Sequence, residues 1–287
     1  MGGSVERMGS TLLRTVRLAV YFTWTLSLMP IQGFGVMLRQ PWTATFPRFY
    51  HRRCCRILGL KVRRIGRPVA SRPILFASNH VSYLDITVLG SLLPASFIAK
   101  REVATWPFFG WLARLQRSVF IDRRPRSTAE QRDSIASRLA AREALILFAE
   151  GTSGDGNRVL PFKSALFSVA ETAELTVQPV SIAYTKLDGQ PIRRSLRPYF
   201  AWYGSMSLAP HLWNVVGLGT VEVVVEFHPP TTLAERGSRK ALARYCEERA
   251  AAGMANALAG RRPAATNAPR PRPGRQSAVA PAAAAAG

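Results

Sequence analysis

His80 and Asp85 are the residues of this chain whose types and spacing could perform acid–base chemistry. A histidine abstracts a hydroxyl proton near neutral pH when a carboxylate fixes its tautomer and stabilises the imidazolium that forms. On one continuous helix, residues five apart point about 140° away from each other, so the pair would diverge. The stretch Asn79-His80-Val81-Ser82-Tyr83-Leu84-Asp85 instead follows an apolar run, Pro73 to Ser78, and reads as a strand–loop–helix junction on which the two can converge. Ser82-Tyr-Leu-Asp85 also fits a helix-start capping box, which makes Asp85 a cap and His80 an ordinary loop residue. The two roles are compatible.

Two further stretches could meet a substrate. The apolar run Ala144 to Phe148 ends in Ala149-Glu150-Gly151-Thr152-Ser153-Gly154-Asp155-Gly156-Asn157. Closely spaced glycines turn backbone N–H groups toward an anion, and Thr152 and Ser153 add hydroxyls. A plain surface turn uses the same residue types. The Gly-Lys-Ser/Thr ending of a P-loop is missing, which argues against nucleotide hydrolysis. The other stretch, Arg117-Ser-Val-Phe-Ile-Asp122-Arg123, is a strand-like run that ends at a cation able to fork onto a phosphate, or simply to be solvated.

The elements that must position these residues begin at Pro73. Short apolar runs (Ile74 to Ser78, Ser96 to Ala99, Ser118 to Ile121, Ala144 to Phe148, Val177 to Ala183, Tyr199 to Tyr203 and Val221 to Phe227) alternate with amphipathic segments such as Ser127 to Ala141. This alternation predicts an α/β domain with a mostly parallel central sheet flanked by helices. Ligands of such sheets bind beyond the carboxyl ends of the strands, where His80 falls.

Residues Leu18 to Leu38 carry no formal charge and form a membrane candidate. Pro30, Gly33 and Gly35 interrupt it, so the uninterrupted part is shorter than the roughly 20 residues of a spanning helix, and a half-buried helix competes with a span. No small-x-small cleavage site follows Pro30, which argues against a signal peptide. From Pro41 to Arg67, aromatic residues interleave with arginines in a pattern that suits the lipid headgroup layer. Basic residues on both flanks of the apolar run place the following domain on the cytoplasmic face of the inner membrane. The expected organisation is a membrane-associated helical segment over 1–68, the α/β domain over 69–260 and a disordered Ala/Pro/Arg tail over 261–287.

With 287 residues and 47% hydrophobic content, the chain can build a sizeable core. Its net charge of +22 requires anionic partners: membrane lipid, phosphorylated substrates or nucleic acid. No nucleic-acid reader motif is recognisable, so a basic nucleic-acid binder is the rival from another class. Three cysteines and four histidines offer neither a disulfide framework nor a zinc-ligand spacing.

Taken in order, these blocks resemble the phospholipid/glycerol acyltransferase family, over roughly Phe49 to Pro230. His80 to Asp85 matches its histidine–four residues–aspartate block, Val119 to Arg123 its apolar block ending in arginine, and Phe148 to Ser153 its Phe-Pro-Glu-Gly-Thr block. Val177 to Ile182 matches its short apolar run around a proline. The resemblance implies acyl transfer from an acyl thioester, acyl-CoA or acyl carrier protein, to the hydroxyl of a lysolipid, without a further cofactor or metal. It makes His80 the base and Asp85 its orienter, and assigns Arg123, Glu150, Gly151 and Thr152 to the headgroup pocket. Ala149 replaces the usual proline, and Ser153 stands where an arginine is frequent, so Arg158 or Lys163 is expected to substitute for it. Lysophosphatidate is the first expected acceptor and a lyso-ornithine lipid the second. A lipid hydrolase using the same histidine is a rival, weakened by the absence of a Gly-x-Ser-x-Gly elbow.

Overall fold

The computed structural model describes residues 9–121, 129–171 and 175–261. The chain opens with α1 (Thr11–Met37), a 3₁₀ turn and α2 (Phe46–Ile57), then β1 (Leu60–Ile65), β2 (Ile74–Ser78) and α3 (Leu84–Leu92). There follow β3 (Ser96–Lys100), α4 (Phe109–Leu115), β4 (Val119–Ile121), α5 (Ala129–Ala140) and β5 (Ala144–Phe148). The remainder is β6 (Thr176–Leu187), β7 (Gln190–Pro191), α6 (Leu208–Val216), β8 (Val221–Phe227), α7 (Leu233–Arg236) and α8 (Arg239–Leu258).

The strands form one sheet in the order β1-β8-β6-β2-β5-β3-β4, with β7 hanging from β6. Only the β6 pairings with β8 and with β7 are antiparallel; the other neighbours run parallel. β2 and β5 are buried at every position, which is why they read as unbroken apolar runs. Successive side chains serve opposite faces. Ile74, Phe76, Ile146 and Phe148 join one core with Leu84 and Val88 of α3, whereas Leu75, Ala77, Leu145 and Leu147 join the other with Leu242, Cys246 and Ala250 of α8.

Three expectations change. Leu60–Ile65, which the sequence assigns to the basic membrane-facing segment, is the edge strand of the sheet; Leu60 is buried while Lys61, Arg63 and Arg64 face solvent. Tyr199 to Tyr203 is no strand. Arg194–Tyr199 coils into a 3₁₀ helix containing Pro198, which has no N–H for a ladder, and the next residues form a loop. The expected interruption at Pro30 does not end the helix either: α1 runs through it for 27 residues. Gly35 is a packing site rather than a breaker, because a Cβ there would lie 2.4 Å from the Trp42 ring.

Among the described residues, no helix is long and apolar enough to cross a membrane. α1 packs against α2, α4 and α6. Its Arg17 guanidinium donates to the carbonyls of Val216, Leu218 and Gly219, at the turn between α6 and β8. Gln32 donates to the carbonyls of Thr43 and Leu115, tying the far end of α1 to α4. Beyond Arg261, the segment expected to be a tail lies outside the described residues.

Candidate active site

β2 delivers Asn79 and His80 at its carboxyl end, in the centre of the sheet. Asn79 continues the ladder with its side chain: its Nδ2 donates to the Ile182 carbonyl at 3.0 Å and its Oδ1 accepts from the Ile182 N–H at 2.8 Å. His80 therefore leaves the sheet from a fixed point. Asp85 is the second residue of α3, and the loop between brings the two side chains together as the junction reading requires. His80 Nδ1 lies 2.9 Å from Asp85 Oδ2.

The Asp85 carboxylate is fully buried and collects donors on both oxygens. Its Oδ2 also accepts from the N–H groups of Val81 at 2.6 Å and Ser82 at 3.0 Å, and its Oδ1 accepts from the Tyr184 hydroxyl at 2.7 Å. These three partners are donors, a surrounding that suits an ionised carboxylate. His80 Nδ1 must then carry a proton, which in the neutral imidazole leaves the lone pair on Nε2. The capping-box reading is met only in half: Asp85 reaches back to the Ser82 N–H, but the N-cap of α3 is Tyr83 without a side-chain cap, and Ser82 Oγ accepts from the Leu84 N–H at 3.4 Å instead. The His80 ring stacks on Phe148 with centroids 3.9 Å apart, and Phe97 continues the stack.

β5 runs parallel to β2, so its carboxyl end brings Glu150 beneath His80. Glu150 is buried, and its Oε1 accepts from the His80 N–H at 3.1 Å. The Gly154 N–H donates to the His80 carbonyl at 2.9 Å, so the His80 backbone is held on both sides. Burial raises the Glu150 pKa to about 8, opposed by hydrogen bonds from His80 and Leu160 and reinforced by Asp85 and Glu247. The folded state thus binds a proton that the unfolded chain has released above the ordinary value of 4.5, and stability falls as pH rises from there toward about 8. Glu150→Gln, which keeps an oxygen acceptor for His80, is expected to remove this component. Thermal midpoints of the two proteins measured across that range should diverge in the variant's favour as pH rises; parallel curves would contradict the assignment.

Gly151, Thr152 and Ser153 line an apolar cavity of about 400 Å³ that also reaches His80. Gly151 has φ +73°, the left-handed turn its lack of a side chain allows. Ser153 does not face outward as a free donor, because its hydroxyl bonds to the Trp202 carbonyl. Arg158 and Lys163 are exposed and stand apart from the cavity lining, and Arg123 lies outside the described residues. The sequence reading misses Tyr184, Lys100, Trp106 and Trp202. Lys100 lines the cavity from the carboxyl end of β3, the same rule of placement that singles out His80. The cavity walls include Leu28, Phe46, Leu84 and Leu112 of α1 to α4, Phe97 of β3 and Phe148 of β5.

No other histidine shares this setting. Burial lowers the pKa of His51 and His228 to about 4 and lowers that of His211 as well. The cysteines are equally unsuited to attack: burial pushes the Cys54 and Cys246 thiols up to about 12 and Cys55 to about 11.

A family model described as Acyltransferase matches residues 60–183, from β1 into β6. A lyso-ornithine lipid O-acyltransferase of Brucella abortus is 44% identical over 245 residues, covering 83% of this chain and 92% of that protein. This chain belongs to the acyltransferase family. An acyltransferase of the same printed name from Rhizobium meliloti is 41% identical, covering 86% of this chain and 88% of its own. A 1-acyl-sn-glycerol-3-phosphate acyltransferase of Neisseria gonorrhoeae is 34% identical, covering 67% and 72%. The crystal structure of the 1-acyl-sn-glycerophosphate acyltransferase PlsC from Thermotoga maritima superposes with a TM-score of 0.61 at 21% identity, over 86% of this chain and 97% of that one. That likeness concerns the fold: the acyltransferase has an α/β architecture around a mostly parallel sheet, with an N-terminal helix. It is an enzyme of lipid metabolism, of the lysolipid-acylating type.

Proposed function

We propose that this acyltransferase moves a fatty acyl group from a thioester of coenzyme A or acyl carrier protein to the free hydroxyl of a lyso-ornithine lipid. The observation that carries the reaction is the His80–Asp85 contact of 2.9 Å at the wall of an apolar cavity. His80 Nε2 takes the hydroxyl proton, Asp85 holds the imidazolium, and the alkoxide oxygen attacks the thioester carbonyl. Collapse of the tetrahedral intermediate breaks the C–S bond, and the proton passes from His80 to the departing thiolate. The backbone N–H groups of Thr152 and Ser153, in the turn that lines the same cavity, are the candidate donor set for the oxyanion, that of Gly151 being spent on the Phe148 carbonyl. With the cysteine thiols protonated and buried, transfer is direct, without an acyl-enzyme.

The choice of acceptor revises the first expectation from the sequence. Relatives named for lyso-ornithine lipid are 44% and 41% identical, against 34% for one named for 1-acyl-sn-glycerol-3-phosphate, and Ser153 occupies a position where the family often has a phosphate-binding arginine. Exposed apolar residues support a site that meets a membrane. Leu12, Val16, Val20, Leu26, Phe34 and Met37 are exposed on α1, while Tyr21, Leu28 and Met29 of the same helix line the cavity. An interfacial helix with the cavity on its inner side gives lipid chains a route to His80. Basic residues flanking α1 suit the cytoplasmic leaflet of the inner membrane.

The test is incubation of the purified protein with lyso-ornithine lipid and lysophosphatidate, each with both donor types, followed by lipid mass analysis. Acylated ornithine lipid is the expected product. Phosphatidic acid formed without it would overturn the acceptor, and free fatty acid alone would favour hydrolysis.

A further inference from the structure

We propose that Tyr83, Trp106 and Trp202 form an aromatic subsite that receives the positively charged amine of the acceptor headgroup, an inference that rests on the lyso-ornithine reading above. All three rings line the cavity together with His80, Thr152 and Ser153. The Trp202 ring lies 5.8 Å from Trp106 with planes at 84°, and 6.0 Å from Tyr83 with planes at 69°. The rings thus stand as nearly perpendicular walls rather than as one stacked slab.

Their position relative to the chemistry is fixed by the backbone. Tyr83 belongs to the loop that carries His80, and its hydroxyl bonds to His211 Nδ1 at 3.0 Å, which holds the ring. The Trp202 backbone N–H donates to the Val81 carbonyl at 2.9 Å, and the Trp202 carbonyl accepts from the Ser153 hydroxyl. The loop bearing Trp202 is therefore bound both to the His80 loop and to the Gly151–Ser153 turn. This accounts for the apolar run Tyr199 to Tyr203, which joins no sheet: Phe200 and Ala201 are buried in the core, and Trp202 and Tyr203 line the cavity.

Aromatic faces carry the negative lobe of the ring quadrupole and attract an alkylammonium within about 6 Å, tryptophan most strongly and more so away from water. An ornithine headgroup supplies such an amine together with a carboxylate, and Lys100 on the same cavity wall supplies positive charge for the latter. Ser153 fits this division. An arginine there would set a like charge beside the amine, whereas the serine hydroxyl is spent on Trp202.

The experiment uses the full chain in phosphatidylcholine–detergent micelles with a fixed acyl thioester and three acceptors. These are lyso-ornithine lipid, the same lipid with its amine acetylated, and the same lipid with its amine trimethylated. Loss of the charge on acetylation is expected to raise KM about 2- to 30-fold with kcat little changed, and trimethylation, which adds bulk but keeps the charge, is expected to leave KM near or below its starting value. Trp202→Leu should raise KM for the free amine and erase the preference, while Trp202→Phe keeps part of it. Equal KM for the charged and acetylated acceptors in the unaltered protein overturns the subsite and needs no variant to fold. That result leaves the lyso-ornithine reading standing, whereas turnover of lysophosphatidate alone overturns both.

Discussion

Replacing His80 with alanine is expected to lower acyl transfer by about a hundredfold or more, the scale of a lost general base, while the protein stays folded. The fold should survive because the bonds from Glu150 and Gly154 go to the His80 backbone and remain available. Asp85 keeps three of its donors, from Val81, Ser82 and Tyr184, so its charge is not stranded. Initial rates of the purified variant, with its thermal midpoint measured beside them, check this. A folded variant with near-normal turnover would remove His80 from the mechanism.

Asp85→Asn is expected to cost activity on a comparable or larger scale, about a hundred- to ten-thousandfold, and stability as well. One amide oxygen can face only one side of the junction. Turned toward His80, Val81 and Ser82 it satisfies those donors, but the amide N–H then confronts Tyr184, whose hydroxyl must reverse from donor to acceptor. Turned the other way, the amide N–H faces three donors and frees the imidazole to adopt the wrong tautomer. In either case the charge that stabilises the imidazolium is gone, and weakened bonds to a buried group cost about 1–3 kcal/mol. Rate and chemical denaturation should therefore fall together, in contrast to His80→Ala. A variant that loses neither would show that the carboxylate is incidental to both.

The parts legible in the sequence are those built from neighbours. His80 and Asp85 meet within one loop and the first turn of one helix, so spacing and residue type suffice to pair them. β2 and β5 are covered on both faces and announce themselves as pure apolar runs. The illegible parts depend on distant partners. Tyr184 reaches Asp85 across 99 positions and Glu150 reaches His80 across 70, and nothing local marks either contact. β1 is hidden by its setting: as an edge strand it buries Leu60 alone, and Lys61, Arg63 and Arg64 read as a charged flank. The resemblance assigns Glu150 to the headgroup pocket, whereas its carboxyl accepts from the His80 N–H because β5 runs beside β2 in register.

The edge position of β1 also bears on how the molecule comes into being. Its ladder partner is β8, with Leu60 opposite Val221, over half the chain length away, and the Arg17 clamp of α1 closes on the turn just before β8. At about 5–20 residues per second, α1 and β1 emerge from the ribosome about 8 to 40 seconds before these docking surfaces are made. Through that interval α1 can pack on α2 and α4 but not yet on α6. α1 is thus made well before the α6–β8 turn that its Arg17 clamps, and is among the last of the described elements that the chain itself can lock in place.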